Sequence, residues 1–235
     1  MVLPTGAAVS GASAAHVLGA YVVADDVAVE VTVPRERRMS AQSGVVVRYS
    51  QLSARDVVRR SGISATSPVR TAFDMARRTS LDDAVVAVDA LLRFGGLRPD
   101  AIAAYASDGR RGWPGVGRVA DVLALAAVGA ESPMETRLRL ALTRGGLPAP
   151  VLQYRVRDAA GRPIARLDLA YVEARLGIEY DGEHHWEPAA VRQDLRRQNA
   201  LRALGWSLLR FTADDVVHQS AQLVAQVRAA AVSRT

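Results

Sequence analysis

Residues 166–186, RLDLAYVEARLGIEYDGEHHW, hold Asp168, Glu179 and Asp181 inside an apolar alternating pattern and run straight into Glu183, His184 and His185. Carboxylates are costly to bury without partners, so a converging group needs a cation, a shared proton or a solvated edge. Strand side chains alternate faces, which puts Glu179 and Asp181 on one face and Ile178 and Tyr180 on the other. On the preceding strand the same rule groups Arg166, Asp168 and Ala170 against Leu167, Leu169 and Tyr171. A turn at residues 173–175 would close an antiparallel hairpin and set Asp168 across from the 179–181 segment, within about 5 Å. Three acids that close repel each other unless their pKa values rise or a cation neutralises them. Oxygen-only ligands suit Mg²⁺ or Mn²⁺ better than zinc, and such an ion activates water and stabilises charge on a phosphoryl group. The plainer alternative is a sheet face salt-bridged by Arg166. One of His184 and His185 could carry a proton or contact a phosphate.

The elements that must position these residues read as follows. The second half, residues 129–235, opens with the helix SPMETRLRLALTRGG, with Ser132 as N-cap, Pro133 at N1 and Glu135 at N3 of a capping box. That role accounts for Glu135, and a second one near the metal requires the helix to pack over the sheet. Three strands follow, VLQYRVRD, IARLDLAYV and LGIEYDG. Then come the helix EPAAVRQDLRRQNALRALG, the strand WSLLRFT and a closing helix ADDVVHQSAQLVAQVRAAAV, for an order αβββαβα. Asp194, Arg196 and Arg197 lie on the helix after the acids; a solvated charged face is the ordinary reading, phosphate contact by the arginines the functional one. The first half, residues 1–128, reads as mixed α and β. It has helices at SAAHVLGAY, TSPVRTAFDMARR, SLDDAVVAVDALLRFGG, LRPDAIAAYASDGR and VADVLALAAV, strands at VAVEVTVP and GVVVRYSQL, and no catalytic constellation.

Composition narrows the chemistry. The 235 residues contain no cysteine, which excludes disulfides, thiol nucleophiles and cysteine-ligated zinc and suits a cytoplasmic protein. None of the 30 basic residues is lysine, so Walker-type and Schiff-base lysines are excluded too. Net charge is +6, which favours anionic partners, nucleic acid first. No apolar run suggests a membrane span, and the apolar N-terminus lacks the basic start of a signal peptide.

On these residues the chain resembles the PD-(D/E)XK nuclease superfamily. More closely, SPMETRLRLAL, ARLDLAY, GIEYDGEHHW and RQDLRRQNALRALGWSLLRFT together are similar to the small domain related to very-short-patch-repair (Vsr) endonucleases. The resemblance covers residues 131–227 and implies an αβββαβα restriction-endonuclease-like core. It carries Asp168 and Glu179 over as metal ligands, matches Glu135 to an acid of the first helix, and matches His185, with His184 beside it, to a recurrent histidine. The superfamily lysine falls on Asp181, a departure from the common pattern. SAAHVLG, VEVTVP and TSPVRTAFDMAR resemble, more loosely, the regulatory region of abortive-infection type IV antitoxins, which implies a winged helix ahead of it, absent or truncated here.

The resulting expectation is a cytoplasmic, Mg²⁺- or Mn²⁺-dependent DNA endonuclease or nickase, in DNA repair or defence, acting on duplex or structured DNA. Asp168, Glu179 and Asp181 hold the ion, His185 assists proton transfer, and Arg197 and Arg210 position backbone phosphates. The rival is a non-catalytic nucleic-acid-binding regulator of antitoxin type. A hydrolase of small phosphoesters fits the basic charge less well.

Overall fold

The computed structural model describes residues 3–21, 28–40, 42–182 and 188–232, and the chain divides into two compact units, Met1–Pro133 and Met134–Thr235. The first unit carries strands β1 (Ala8–Val9), β2 (Val29–Val33), β3 (Val45–Tyr49), β4 (Val57–Arg60) and β5 (Ile63–Thr66) in one mixed sheet of order β3-β2-β1-β5-β4. Its helices are α1 (Gly11–Val17), α2 (Pro68–Arg78), α3 (Leu81–Phe94), α4 (Pro99–Ser107) and α5 (Arg118–Leu125). Three of these strands escape the alternation pattern. β1 is two residues long, and β4 and β5 present Arg59, Arg60 and Ile63 to solvent. Their hairpin is set by Ser61 and Gly62, both at positive φ (48° and 82°), a two-residue turn whose twist matches the strands.

The second unit has the expected alternation of elements. Helix α6 (Pro133–Arg144) is followed by β6 (Val151–Arg157), β7 (Pro163–Tyr171) and β8 (Leu176–Tyr180), then α7 (Pro188–Ala203) and β9 (Ser207–Phe211). The sheet order is β6-β7-β8-β9, antiparallel except for the parallel β8–β9 pair joined through α7. This is a mixed α/β core of the restriction-endonuclease-like kind. The closing segment is two helices, α8 (Ala213–Val217) and α9 (Ser220–Val232), where the sequence reads as one. Val216 of α8 and Leu223, Val224 and Val227 of α9 are all buried, so helical spacing of the apolar residues alone does not mark the break. Among the described residues no helix is long and apolar enough to cross a membrane.

Two apolar clusters hold this unit. Leu138 and Leu142 of α6 pack with Leu169, Leu176 and Ile178 and with Leu223 and Val227 of α9. Leu201 of α7 packs with Val156, Leu167, Ala170 and Trp206. Strict alternation on β7 fails here. Leu167 was expected beside Leu169 and Tyr171, but it joins the cluster of Ala170, while Leu169 and Tyr171 belong to the other. Leu152 and Tyr154 on β6 divide the same way. Between these pairs stand Asp168 and Gln153, and Gln153 has φ of +50°, a left-handed backbone that turns the strand locally. Both strands therefore change their facing at the position of the acid.

Gly177 sits where the sheet is tightest: an added Cβ would meet Leu167 Cδ1 at 2.8 Å and Leu208 Cδ1 at 3.1 Å. Gly177→Ala is expected to lower stability by about 1–3 kcal/mol through overpacking, read by denaturant unfolding. A fragment of residues 131–235 should unfold cooperatively on its own, since both clusters lie within it; a non-cooperative melt would show that it needs the preceding residues.

Candidate active site

Each acid reaches the site from a different element. On α6, Glu135 shares a helical face with buried Leu138 and Leu142, at i, i+3 and i+7, and that face packs on the sheet. Glu135 is itself buried, and its Oε2 accepts a hydrogen bond of 2.9 Å from Gln153 Nε2 on β6. The carboxylate thus reaches a neighbouring strand, beyond the helix-start role that its N3 position explains.

Asp168 stands across the hairpin from Glu179, by extension of the register Leu169↔Ile178 and Ala170↔Gly177. Regular pairing stops at Leu169. The next ladder donor, the Tyr180 N–H, goes to Asp168 Oδ2 at 3.1 Å, so a side chain takes over from the backbone where the strands part. Burial foremost, with the nearby charges of Glu135 and Glu179, pushes the Asp168 carboxyl up to about 6 against the Tyr180 hydrogen bond and Arg166. A carboxyl at this value exchanges its proton near neutral pH, as a group in acid–base chemistry does.

Glu179 is buried and already matched. Arg197 Nη1 and Nη2 donate to its two oxygens at 2.5 Å and 2.7 Å, and Arg210 Nε lies 3.4 Å from Oε2. Asp194 accepts from both arginines, including Arg210 Nη1 at 2.8 Å, and from Gln198 at 2.9 Å. Arg210 holds the Asp194 carboxyl down to about 2, helped by Arg197, and Glu179 foremost raises the Arg197 guanidinium. Asp194, Arg197 and buried Leu201 form an i, i+3, i+7 stripe on α7, and Arg210 is the β9 partner of Glu179 in the parallel ladder. Two carboxylates and two guanidiniums therefore close a neutral box.

The residues foreseen from sequence are thus distributed unevenly. Glu135 and Glu179 both come close enough to Asp168 to act on its charge. Asp181 follows the end of β8, half-buried, with its N–H on Phe211 O at 2.8 Å. Arg197 and Arg210 direct their forks at Glu179 and Asp194. His184 and His185 lie outside the described residues. Among the described residues no group of three acids or histidines is placed to hold a metal ion. Glu179 is matched by guanidinium where it stands. The oxygen donors suit a hard cation in kind: besides Asp168 and Glu135, Gln153 Oε1 is buried and has no hydrogen-bond partner among the described residues.

Gln153 and Asp194 are the functional candidates that sequence reasoning missed. Gln153 gives no signal, because strand alternation places it on the polar face with Arg155 and Arg157. Asp194 reads as part of an exposed charged helix until β9 brings Arg210 to it.

Two outcomes test this geometry. The folded Asp168 carboxyl binds its proton more tightly than the unfolded one, at about 6 against 3.8. The stability it contributes is complete below pH 4 and is lost as pH rises through about 6. Allowing for partial solvent screening, unfolding free energy should fall by about 1–2 kcal/mol between pH 4 and pH 7. Asp168→Asn should remove that fall, and parallel pH-dependent slopes in the two proteins would refute the assignment. Asp194, lowered to about 2, works in the opposite direction and only below pH 4. Separately, Arg197→Met should cost about 1–3 kcal/mol in chemical unfolding, because it strands the buried Glu179 carboxylate beside Arg210 alone.

Comparison with known proteins follows the same two-part division. Residues 151–231 match the family model REase_MTES_1575, a restriction-endonuclease-like family, and this reaches the wider group without singling out the Vsr-like branch. Residues 6–125 match the AbiEi antitoxin C-terminal domain. Uncharacterized proteins from two strains of Mycobacterium tuberculosis are each 34% identical over 191 residues, covering 81% of this chain and 69% of theirs. An uncharacterized protein of Haemophilus influenzae is 31% identical over 61 residues, 26% of this chain and 50% of that protein. No solved structure matches the chain at a significant level. By the match over residues 6–125, the chain belongs to the AbiEi antitoxin C-terminal domain family, and residues 151–231 match a restriction-endonuclease-like family model after it.

Proposed function

We propose that the protein is a DNA endonuclease or nickase whose chemistry resides in the second unit. The observation that carries this reading is Asp168, a carboxyl raised to about 6 at the point where β7 and β8 part, with the charges of Glu135 and Glu179 beside it. In this reading Asp168 and Glu135 take up a divalent cation, Mg²⁺ or Mn²⁺, with Gln153 Oε1 as a neutral oxygen at its side. When bound, the ion supplies an activated water and charge stabilisation at phosphorus. Arg197 and Arg210 hold the Glu179 carboxylate in one orientation, and Asp194 holds the arginines. Their remaining donors favour the approach of a phosphate. His185, or His184, assists proton transfer, and the AbiEi-like unit contributes contact with DNA or regulation in the cytoplasm.

A second reading draws on a specific observation. The guanidinium lock on Glu179 leaves that acid charge-matched without any metal, which suits a nucleic-acid-binding regulator of antitoxin type that keeps the fold and hydrolyses nothing.

Supercoiled plasmid separates the two. With Mg²⁺ or Mn²⁺ the protein is expected to produce nicked or linear DNA, and Asp168→Asn, purified identically, should lower the rate by at least about 100-fold. Equal traces of cleavage in both preparations, or none with either metal on supercoiled, mismatched, branched and single-stranded DNA, would leave the regulator reading standing. Binding without cleavage should then weaken with salt at a log–log slope of about −0.9 per duplex phosphate contacted.

A further inference from the structure

The first unit holds a second concentration of charge that the nuclease reading does not use. A cleft of about 390 Å³ opens between the C-terminal end of α2 and the segments around residues 35, 49–51 and 112–114. Its wall includes Arg35, Arg77 and Arg78 together with Tyr49, Gln51 and Trp113. The cations outnumber the acids that serve them. Asp74, buried, is approached by Arg70 at 2.8 Å, Arg77 at 2.8 Å and Arg78 at 3.4 Å. Arg70 is fully buried, and its other partners are Gln51 O at 2.8 Å, Ser50 Oγ at 3.0 Å and the Asp56 carboxylate at 3.6 Å. Asp56 is held below the usual carboxylate range by hydrogen bonds from Tyr105 and Ser53, against the effect of its burial. Arg35 forms no ion pair among the described residues.

The site is built rigidly. Arg77 donates to Pro114 O at 3.0 Å, and its guanidinium lies 5.2 Å from the centroid of the Trp113 ring. Arg118 ties the end of the helix region by donating to Thr79 O at 2.6 Å. Gly115, at φ of +78°, lets the loop approach so closely that a Cβ there would stand 2.3 Å from Arg77 O. Burial foremost lowers the Arg78 guanidinium to about 10 against the pull of Asp74, with smaller contributions from the charges of Arg77, Arg70 and Arg48.

We propose that this cleft binds a phosphate monoester of nucleotide size, either a free nucleotide or the terminal phosphate of a nucleic-acid strand. A phosphate dianion offers several oxygens to guanidiniums that converge from different segments, and it supplies the charge Asp74 cannot. The volume is that of a small-ligand pocket, and Tyr49, 42% exposed, gives a flat ring at its edge.

The test is calorimetric titration of the full chain, at fixed ionic strength and with divalent ions chelated, using AMP, adenosine and a short single-stranded oligonucleotide with and without a 5′-phosphate. AMP should bind and adenosine should not. Whichever phosphate carrier is the source should bind more tightly than the other, and the 5′-hydroxyl oligonucleotide should bind at least tenfold more weakly than its phosphorylated form if the strand is the source. Arg78→Gln and Arg35→Gln should each weaken the phosphate-dependent binding about tenfold. Arg35 is exposed, so its variant reports even if Arg78→Gln fails to fold. Binding of AMP no tighter than adenosine, no phosphate-dependent binding up to millimolar concentrations, or affinity unchanged in Arg35→Gln overturns the proposal.

Discussion

A charge taken out of water must be matched within hydrogen-bond reach, and in the second unit that requirement is met by the fork of Arg197 on Glu179. It joins α7 to β8, and through Arg210 and Asp194 it joins both to β9. Without it the parallel β8–β9 crossover would carry a buried carboxylate served by Arg210 alone. The same box explains why α7, polar in sequence along most of its length, lies on the sheet: Leu201 anchors one end, and the salt-bridged stripe of Asp194 and Arg197 extends that face.

Asp168 differs because, among the described residues, no guanidinium fork serves it. Its carboxylate accepts the Tyr180 N–H at the opening between strands, and its charge is set against those of Glu135 and Glu179. The fold therefore gives one acid complete compensation and leaves its neighbour short of it, and only the second has its carboxyl raised. The left-handed backbone at Gln153 belongs to that arrangement. It lets β6 follow the turn of β7 and sends the amide side chain to Glu135.

The first unit handles buried charge by the opposite imbalance. There arginines exceed carboxylates around Asp74, and Arg70 lies at the centre with no exposed surface. Ion-paired and hydrogen-bonded, it holds α2 to the chain at Ser50 and Gln51, so the helix docks through polar contacts as well as through Phe73 and the alanines around it.

The order of elements in the second unit was readable because each signal is local: Ser132 and Pro133 start a helix, Gly145 and Gly146 end it, and alternating apolar residues mark the strands. The approach of Asp168 to Glu179 followed from a tight turn and strand pairing, again a short-range inference. Other features are decided by contacts between residues far apart in the chain. Nothing local marks Arg197 and Arg210 as partners of Glu179, since that choice depends on a parallel crossover bringing residue 210 beside residue 179. Nothing in the alternation of β7 announces that Leu167 changes sides, because the change accompanies a left-handed backbone at Gln153 on the adjacent strand. The side-chain types therefore determined which chemistry was available, an oxygen-rich, lysine-free and cysteine-free site with arginine as its cation. The tertiary structure decided which acids remain responsive, because a carboxylate's pKa depends on burial and on the charges the fold places around it.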